Sequence, residues 1–339
     1  MGGLVTVVTR TVGRPCIADA AQCLAAQTHR PIEWLVVDAS GGRVDVPAAG
    51  DVPVRVVSSG ERMLRARAGN VGFAHARGDR AIVLDDDDLL LPSCVERLSG
   101  ALDAHPRYRV AYCDVRVDTG DAGLQGTYAF EYSELMLLRR NLFPPNGGMF
   151  DMSLVRDDGV RYDEGLDWFD DWDLWLKMSA RTAFLHVREV LAVYRLSLSQ
   201  SVQSGIWFHD SPDADPVLRG HEAIVRERNA ARRAAAEARY AAIASSARRA
   251  MRFGRLADAA ARWTEAHALL PHDAEPIVRY AEVALAAGDT GAARASIDSG
   301  LALMPDDPAL HRALAGLLDL AGDADGARRE RAEAARLET

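Results

Sequence analysis

The sequence predicts an α/β domain followed by an all-α helical repeat domain. From residue 4 to about residue 117, short apolar runs rich in β-branched residues alternate with longer helical patterns, which is typical of a mostly parallel sheet wrapped by helices. After residue 240 the chain repeats with a period of 34 residues. A chain of 339 residues that is 48% hydrophobic is long enough to fold as these two domains.

Four strands and two helices account for the first part of the α/β pattern. The strand runs LVTVVT, IEWLVVD, VRVVS and AIVLD begin at residues 4, 32, 54 and 81, and helices are predicted near residues 17–27 and 62–76. In such sheets, ligands bind where the carboxyl ends of the strands meet. We therefore expect the polar residues that follow three of these strands to converge, namely Thr9 to Thr11, Asp38 to Ser40 and Asp85 to Asp88.

A polar, turn-rich stretch from Gly205 to Pro216 marks the junction between the two domains. An Ala/Arg/Glu helix without a broad apolar face follows it. We therefore assign residues 1–204 to the α/β domain, residues 205–239 to a linker and connecting helix, and residues 240–339 to the repeats.

Small residues and prolines recur in register through the last hundred residues. Small residues where two helices cross allow close packing, and a period of 34 residues of this kind resembles the tetratricopeptide repeat. An alanine-rich bundle with accidental periodicity is the alternative. Three repeats, over 240–273, 274–307 and 308–339, are near the minimum for a stable stack, and we expect them to serve dimerisation or docking of a protein partner. The residues that recur at this spacing of 34 include Gly254, Gly288 and Gly322; Ala259, Ala293 and Ala327; Leu269, Leu303 and Leu337; and Pro271 and Pro305.

Charge and composition exclude several classes of partner. The net charge of −9 argues against nucleic acid or an anionic membrane, because phosphate groups are bound by basic faces. No apolar run approaches the roughly 18 residues that a transmembrane helix needs, and the N-terminus lacks a cleavable leader pattern. The four cysteines form no CxxC pair, which favours free thiols in a reducing compartment. We therefore expect a cytoplasmic protein without a transmembrane segment or a nucleic-acid partner.

Four consecutive carboxylates, Asp85 to Asp88, directly follow the apolar run AIVL. Their mutual repulsion has no structural purpose unless a cation lies among them. Oxygen ligands of this type suit Mg²⁺ or Mn²⁺, which bridges to substrate phosphates. The alternative is a solvated acidic turn in which Asp88 caps the helix opened by Pro92.

The residues around this run resemble a known family. LDDDD after a strand, preceded by GERMLRARAGNVGFAHARGD and followed by LLLPSCVERL, resembles the DxD region of family 2 glycosyltransferases, which have the GT-A fold. TRTVGRP and LVVDAS resemble the first two strand ends of that family, and the resemblance covers about residues 4–203. It implies an inverting transferase that uses a nucleotide-sugar donor, with UDP the commonest nucleotide, and a divalent metal, Mn²⁺ or Mg²⁺.

The resemblance also assigns residues to the nucleotide and metal sites. Asp85 and Asp87 become the DxD pair, with Asp87 the principal metal ligand and Asp85 nearer the ribose or diphosphate. Asp38 would accept a hydrogen bond from the base, although an Asx turn into Ser40 is the alternative. Gly69 stands where the family has an Arg. The predicted nucleotide-binding residues are Thr9, Arg10, Thr11, Asp38, Arg67, Asn70, Asp85 and Asp86, of which Arg67 and Asn70 share a helix face at three-residue spacing.

A second acidic cluster opens the segment FDDWDLWLKM, which begins at Phe169. Its tryptophans form an apolar stripe at helical spacing. A purely structural role for its aspartates would be compensation of the helix dipole. In the family, this segment reads Glu-Asp before Trp and its Asp is the general base, which corresponds to Asp171. A base of this kind takes the proton of an acceptor hydroxyl, and one base opposite the leaving group implies single displacement with inversion.

The donor and acceptor sugars are assigned to two further segments. PPNGGMF resembles the acceptor-side segment of the family, where Gly147 and Gly148 would let the backbone approach the sugar, although a plain turn is the alternative. Trp168 could stack on a sugar face beside Asp170. Relatives carry a His after Tyr-Arg that completes metal coordination. Here that position is Ser197, so either Ser197, a water or His209 takes its place or the affinity for the metal is lower.

Two other functions compete with the transferase. A non-catalytic adaptor would use the repeats and keep only a degenerate first domain, against which the intact Asp85, Asp87 and Asp171 argue. A sugar nucleotidyltransferase would require a Gly-rich triphosphate loop after the first strand, and the sequence has none. For a transferase, the acceptor classes that remain open are a glycan, a lipid-linked sugar, a peptide and a small molecule.

Overall fold

A computed structural model describes residues 3–120, 125–196 and 216–338. The chain divides into two compact units. Unit 1 comprises Met1–Tyr132 and Leu137–Ala230, and unit 2 comprises Ser133–Met136 and Ala231–Thr339. The segment 205–239 that we predicted as a linker and connecting helix is thus shared between the two units wherever it is described.

Unit 1 contains one mixed sheet, in which the described residues form nine strands. The order along the sheet is β3-β2-β1-β4-β8-β6-β9-β5, with β7 paired to β6. The strands are β1 (Val5–Thr11), β2 (Ile32–Asp38), β3 (Val54–Ser58), β4 (Arg80–Val83), β5 (Leu89–Leu90), β6 (Val110–Asp118), β7 (Gln125–Tyr128), β8 (Gly148–Asp151) and β9 (Phe184–Arg195).

The sheet is parallel in its first half and mainly antiparallel in its second. Strands β3, β2, β1 and β4 pair in parallel, and every residue of β1 and β2 is buried. Strand β8 runs antiparallel to both β4 and β6, whereas β6 and β9 pair in parallel. The α/β class predicted from the sequence is confirmed. Parallel pairing links β3, β2, β1 and β4 and also links β6 with β9, whereas the antiparallel strand β8 between β4 and β6 makes the sheet mixed.

Helices cover the sheet of unit 1 and position its loops. The predicted helices 17–27 and 62–76 are both present and slightly shorter. The α-helices before residue 230 are α1 (Ile17–Ala25), α2 (Arg65–His75), α3 (Cys94–Ala104), α4 (Glu134–Arg139), α5 (Ser153–Arg156), α6 (Asp170–Ser179) and α7 (Pro216–Arg228), and a 3-10 turn spans Pro145–Gly147.

The remaining helices form three antiparallel pairs. A glycine with positive φ ends the first helix of each pair, at Gly254, Gly288 and Gly322, where only glycine adopts this backbone without strain. These are the glycines of the predicted 34-residue period, so the helical repeats are confirmed. The helices are α8 (Ala230–Arg252), α9 (Leu256–Leu269), α10 (Ala274–Ala286), α11 (Thr290–Leu303), α12 (Pro308–Leu320) and α13 (Ala324–Leu337).

Candidate active site

A cavity of about 430 Å³ opens in unit 1 where the carboxyl ends of β1 and β4 lie side by side. Its wall carries both acidic and basic side chains, which is the composition expected of a site for a charged ligand. The described lining residues are Arg10, Thr11, Val12, Arg14, Ala39, Met63, Arg65, Ala68, Asp85, Asp86, Asp87, Asp88, Trp168, Tyr194, Arg195 and Leu196.

Arg10, at the end of β1, joins the two acidic clusters of the sequence. Its Nε and Nη2 donate to the two carboxylate oxygens of Asp85 at 2.8 and 2.7 Å, and its Nη1 donates to Asp170 at 2.9 Å. The Arg10 side chain is only 3% exposed. Burial alone would raise the pKa of Asp85, but the charge and hydrogen bonds of Arg10 outweigh it and hold that pKa below its usual value. Asp85 is therefore ionised and fixed in place.

Arg14, in the turn after β1, neutralises the middle of the tetra-aspartate. It donates to a carboxylate oxygen of Asp86 and, through Nη1, to Oδ2 of Asp87 at 2.8 Å. Asp86 is fully buried and its other oxygen accepts from the Thr11 hydroxyl at 2.5 Å. Burial nevertheless raises the pKa of Asp86. Asp86 thus acts as an internal anchor for Thr11 and Arg14.

Asp87 and Asp88 differ in exposure. The Asp87 side chain is 33% exposed to the cavity, whereas Asp88 is buried and its Oδ1 accepts from the Arg195 amide at 2.9 Å. Burial, followed by the charges of Asp87 and Asp85, raises the pKa of Asp88 well above its usual value. Asp87 is consequently the carboxylate of this run with the greatest access to a ligand in the cavity.

The second acidic cluster lies on the first turn of α6. Phe169, which precedes the helix, has φ of 58° and is the sole non-glycine residue with positive φ in the described ranges. Such strain persists where the surrounding structure enforces it and is frequent at functional sites. Asp170 is 1% exposed, accepts from Arg10 and also accepts from Arg65 at 3.1 Å. Two guanidinium groups therefore fix the start of α6 beside the cavity.

Asp171, predicted as the general base, has no arginine partner among the described residues. Its Oδ2 accepts from Nδ2 of Asn141 at 2.8 Å, and its Oδ1 accepts from the Trp172 amide at 2.8 Å. Burial, reinforced by the charge of Asp170, raises the pKa of Asp171 to about 6. A carboxylate with such a pKa is largely ionised at neutral pH yet more basic than an exposed Asp, which suits proton abstraction.

Thr9 and Asp38, two of the residues predicted near the nucleotide base, are buried and do not belong to the described cavity lining. Thr9 is fully buried and accepts from Nε1 of Trp34 at 2.9 Å. Asp38 is 2% exposed, and its Oδ1 accepts from both the amide and the hydroxyl of Ser40. The Asx turn that the sequence left as an alternative for Asp38 is therefore present, and a contact between Asp38 and a base stays a prediction.

Arg67 and Asn70 lie outside the cavity lining in the described chain. Arg67 is exposed and its Nη2 lies 3.4 Å from Glu61. The Asn70 amide donates to Glu164 and to the Tyr162 carbonyl, and its Oδ1 accepts from the Tyr162 amide at 2.9 Å. Asn70 thus holds the segment before α6, because its polar atoms are bonded to that segment. Nucleotide binding by either residue stays a prediction.

The two predicted sugar-site segments differ in their surroundings. At Gly147 and Gly148 an added Cβ would meet Val115 at 2.5 Å and Phe143 at 2.7 Å, so both glycines allow close internal packing. Trp168 is half-buried, lines the cavity and lies under Arg65 at 5.5 Å. Trp168 lines the cavity with Arg10 and Asp85, and Asp170 is bonded to Arg10, while the roles of these two residues and of the glycines toward a sugar stay predictions.

Three site residues were not assigned a role from the sequence. These residues are Arg14, in the turn after the first strand, and Asn141 and Arg195, which lie far in sequence from their carboxylate partners. Arg195 directly precedes Leu196, the last described residue before the predicted Ser197 and His209, which lie outside the described residues. Among the described residues, no group of three or more His, Cys, Asp or Glu side chains is arranged to hold a metal ion.

Comparison with known families identifies the two regions. A model of glycosyl transferase family 2 matches residues 5–155, and a tetratricopeptide-repeat model matches residues 250–317. The chain carries a family 2 glycosyltransferase domain followed by tetratricopeptide repeats. Asp85 to Asp88 and most residues that line the cavity fall within residues 5–155, whereas the lining residues Trp168 and Tyr194 to Leu196 lie beyond them. The fold class and the family resemblance predicted from the sequence are confirmed.

Relatives of the transferase domain come from several bacteria. An uncharacterised protein of Sinorhizobium fredii is 29% identical over 161 residues, which are 46% of this chain and 18% of the relative. YwdF of Bacillus subtilis, described as an uncharacterised glycosyltransferase, is 22% identical over 210 residues, which are 59% of this chain and 77% of the relative. The chain thus spans less than a fifth of the length of the Sinorhizobium protein.

Solved structures also resemble the chain. The crystal structure of S. aureus TarS 1–349 in complex with UDP-GlcNAc has a TM-score of 0.49 and 14% identity to it, with 98% of this chain and 91% of that chain covered. Within the described residues of the transferase and repeat regions, no helix is long and apolar enough to cross a membrane.

Proposed function

We propose that this protein is an inverting glycosyltransferase that moves a sugar from a nucleotide diphosphate donor, with a UDP-sugar favoured, to a hydroxyl of an acceptor. The acceptor in this proposal is a glycan, a lipid-linked sugar, a peptide or a small molecule. The repeats are assigned to self-association or to docking of a protein partner, and the cytoplasm is the proposed location. The match to glycosyl transferase family 2 and the charged cavity of unit 1 support this assignment.

The observation that carries the proposal is the position of Arg10 between the two acidic clusters. Its guanidinium bonds to Asp85 at the cavity wall and to Asp170 at the start of α6. Asp171 follows Asp170 directly, so the link that fixes the donor side of the site also fixes the proposed base. A transferase needs this relation, because donor and base must be held in one reactive geometry.

A divalent ion is compatible with the carboxylates present. Both oxygens of Asp85 are bonded to Arg10, so metal ligation by Asp85, as predicted from the DxD motif, stays a prediction. Asp87 is one-third exposed and can offer a carboxylate oxygen to the cavity. Mg²⁺ is commonly held by one or two carboxylates together with waters and substrate phosphates. We therefore place the Mg²⁺ or Mn²⁺ of the donor complex on Asp87.

The reaction in this proposal is a single displacement. Asp171 takes the proton of the acceptor hydroxyl while that oxygen bonds to the anomeric carbon, and the bond from that carbon to the diphosphate oxygen breaks. Asn141 holds the carboxylate of Asp171 in place. Arg65 lines the same cavity, so its guanidinium would favour the negative charge that develops on the leaving diphosphate. When bound, the divalent ion would neutralise charge on the leaving diphosphate.

The proposal is tested by donor binding and by the product. UDP, GDP and dTDP are screened by thermal shift with and without Mn²⁺, because a bound ligand raises stability by RT ln(1 + [L]/Kd). UDP with Mn²⁺ is expected to give the largest shift, and EDTA to remove it. NMR of the product from the best donor should show an inverted anomeric centre. Retention of configuration, or the lack of any nucleotide effect, would rule the proposal out.

A further inference from the structure

Arg14 occupies the carboxylate that the proposed function gives to the metal ion. Its Nη1 donates to Oδ2 of Asp87 at 2.8 Å while its Nη2 is bonded to Asp86. Arg14 is 35% exposed and Asp87 is 33% exposed, whereas Asp86 is fully buried. The pair Arg14–Asp87 thus lies at the cavity surface, and Asp86 lies behind it.

A divalent cation and the guanidinium of Arg14 compete for the same carboxylate. Two cations a few ångströms apart repel each other strongly at a protein surface, where the effective dielectric constant is about 20. An ion on Asp87 therefore weakens the Arg14–Asp87 bond, and that bond in turn weakens binding of the ion to Asp87.

The structure also provides a second partner position for Arg14. Asp86 can keep Nη2, since its other oxygen is fixed by Thr11. If Nη1 leaves Asp87, Nη1 can donate to a ligand in the cavity that Arg14 lines. A cationic N–H donor of this kind forms a charge-assisted hydrogen bond with a phosphate oxygen.

We propose that Arg14 is a diphosphate-binding residue that covers Asp87 in the free protein and exchanges Asp87 for the diphosphate when the metal-bound donor arrives. The inference rests on the proposed function, because it assumes a nucleotide diphosphate and a divalent ion in this cavity. It has a consequence that a plain phosphate-binding arginine would lack. Removing Arg14 strengthens binding of the ion alone and weakens binding of the nucleotide.

The test measures the two affinities separately in the full-length protein. Mn²⁺ binding without nucleotide is followed by electron paramagnetic resonance, and binding of UDP in saturating Mn²⁺ by calorimetry. For Arg14→Gln we expect about tenfold tighter Mn²⁺ and about tenfold weaker UDP, the size of one charge-assisted contact. Arg43→Gln is the matched control, because Arg43 is an exposed arginine of the neighbouring loop. It should change either affinity by less than about twofold.

A second substitution separates charge from geometry. Arg14→Lys keeps the cation but offers a single nitrogen, which cannot stay on Asp86 and bind the diphosphate as two guanidinium nitrogens can, so Mn²⁺ affinity should stay within about twofold of the wild-type value while UDP binding weakens. If Arg14→Gln fails to fold, Arg14→Lys still tests whether Arg14 contributes to UDP binding. Unchanged UDP affinity in Arg14→Lys, or unchanged or weaker Mn²⁺ binding in a folded Arg14→Gln, overturns the inference.

Asp87→Asn distinguishes failure of the inference from failure of the proposed function. If Asp87→Asn leaves Mn²⁺ and UDP binding intact, the metal role of Asp87 in the proposed function is wrong, and the exchange at Arg14 falls with it. If Asp87→Asn abolishes Mn²⁺ binding but Arg14→Gln does not move the two affinities in opposite directions, the proposed function stands and the inference about Arg14 alone is rejected.

Discussion

The two acidic clusters of the transferase domain use the same side chain in different electrostatic settings. In the run Asp85 to Asp88, Arg10 and Arg14 bond to the first three carboxylates, and the Arg195 amide bonds to the fourth. In the cluster at the start of α6, two arginines bond to Asp170, while Asp171 accepts a hydrogen bond from the neutral side-chain amide of Asn141.

The difference shows how position relative to a guanidinium decides what an aspartate can do. Asp85 has a lowered pKa because the charge and hydrogen bonds of Arg10 outweigh its burial, so it stays an anion. Asp171 lacks such a partner in the described chain, and burial raises its pKa to about 6. Asp85, paired with Arg10, can therefore organise charge, whereas Asp171, held by an amide, can accept and release a proton. Asp86 shows that contact with an arginine is not sufficient, because burial raises its pKa despite the bond to Arg14. The predictions below test this division.

The largest expected effect is on turnover in Asp171→Asn. The substitution keeps the shape of the side chain and removes the proton acceptor. Turnover should fall by roughly 10²–10⁴-fold, the usual value of general-base catalysis, while nucleotide affinity stays near the wild-type value. Product formation and UDP binding are measured on the same preparations.

Asp167→Asn is the matched control for this substitution, since Asp167 is an exposed aspartate four residues earlier in the chain. It should leave turnover unchanged. Turnover in Asp171→Asn equal to that of the control would show that Asp171 is not the base, and the contrast between the two clusters would lose its chemical meaning.

Arg10→Gln should give the next largest effect, on stability. The substitution leaves Asp85 and Asp170 without the guanidinium that both share. Loss of one partner from a buried ion pair destabilises a fold by roughly 3–5 kcal/mol. Denaturant unfolding of unit 1 measures the change.

The comparison for Arg10→Gln is Arg97→Gln, which removes the ion pair with Glu189, in which Arg97 is 53% exposed. An exposed pair is worth about 1 kcal/mol or less. Equal losses of stability in the two variants would mean that Arg10 does not bridge the two clusters as the structure indicates.

Part of this site could be predicted from the sequence because its residues follow strand ends. Asp85 to Asp88 and Thr11 come directly after apolar runs, and the parallel pairing of β1 with β4 brings them together. Trp168 and Asp170 belong to a segment with a clear helical stripe. The repeats were equally accessible, since Gly254 and its successors recur at a constant spacing.

The rest could not be predicted because it depends on contacts between distant residues. Asn141 reaches Asp171 across 30 positions, and Arg10 reaches Asp170 across 160. The sequence also does not show that Asn70 is engaged by Tyr162, so its amide was assigned to a ligand. Local patterns locate a strand end, but they do not tell which of its polar atoms the protein itself will bind.

The pH dependence of stability should show a smaller effect, and its direction tests the raised pKa of Asp171 in the second cluster. The pKa of Asp171 is raised from 3.8 to about 6, so its protonated form favours the folded state. That contribution is fully present below about pH 4 and is lost as the pH rises through about 6. The amide introduced by Asp171→Asn is neutral at every pH, so this variant should be more stable than the wild-type protein at pH 8, by about 1–3 kcal/mol.

This advantage should shrink between pH 8 and pH 5, as the wild-type carboxyl takes up its proton. Urea unfolding of both proteins at four pH values in that range measures it. A difference in stability that is independent of pH would show that the pKa of Asp171 is not raised, and the separation between the two clusters would then rest on hydrogen bonding alone.

The smallest effect is expected for an aspartate that is assigned neither to donor binding nor to proton transfer. Asp307 precedes α12, and its Oδ1 accepts from the amides of Ala309 and Leu310 at 2.8 and 3.1 Å. It is an N-cap, so Asp307→Ala should destabilise the repeats by about 1 kcal/mol and leave both UDP binding and turnover unchanged. Thermal unfolding and the transfer assay are measured together. A loss of turnover in a folded Asp307→Ala protein would mean that the repeats take part in the reaction. The function of an aspartate could then not be inferred from the residues that contact its carboxylate.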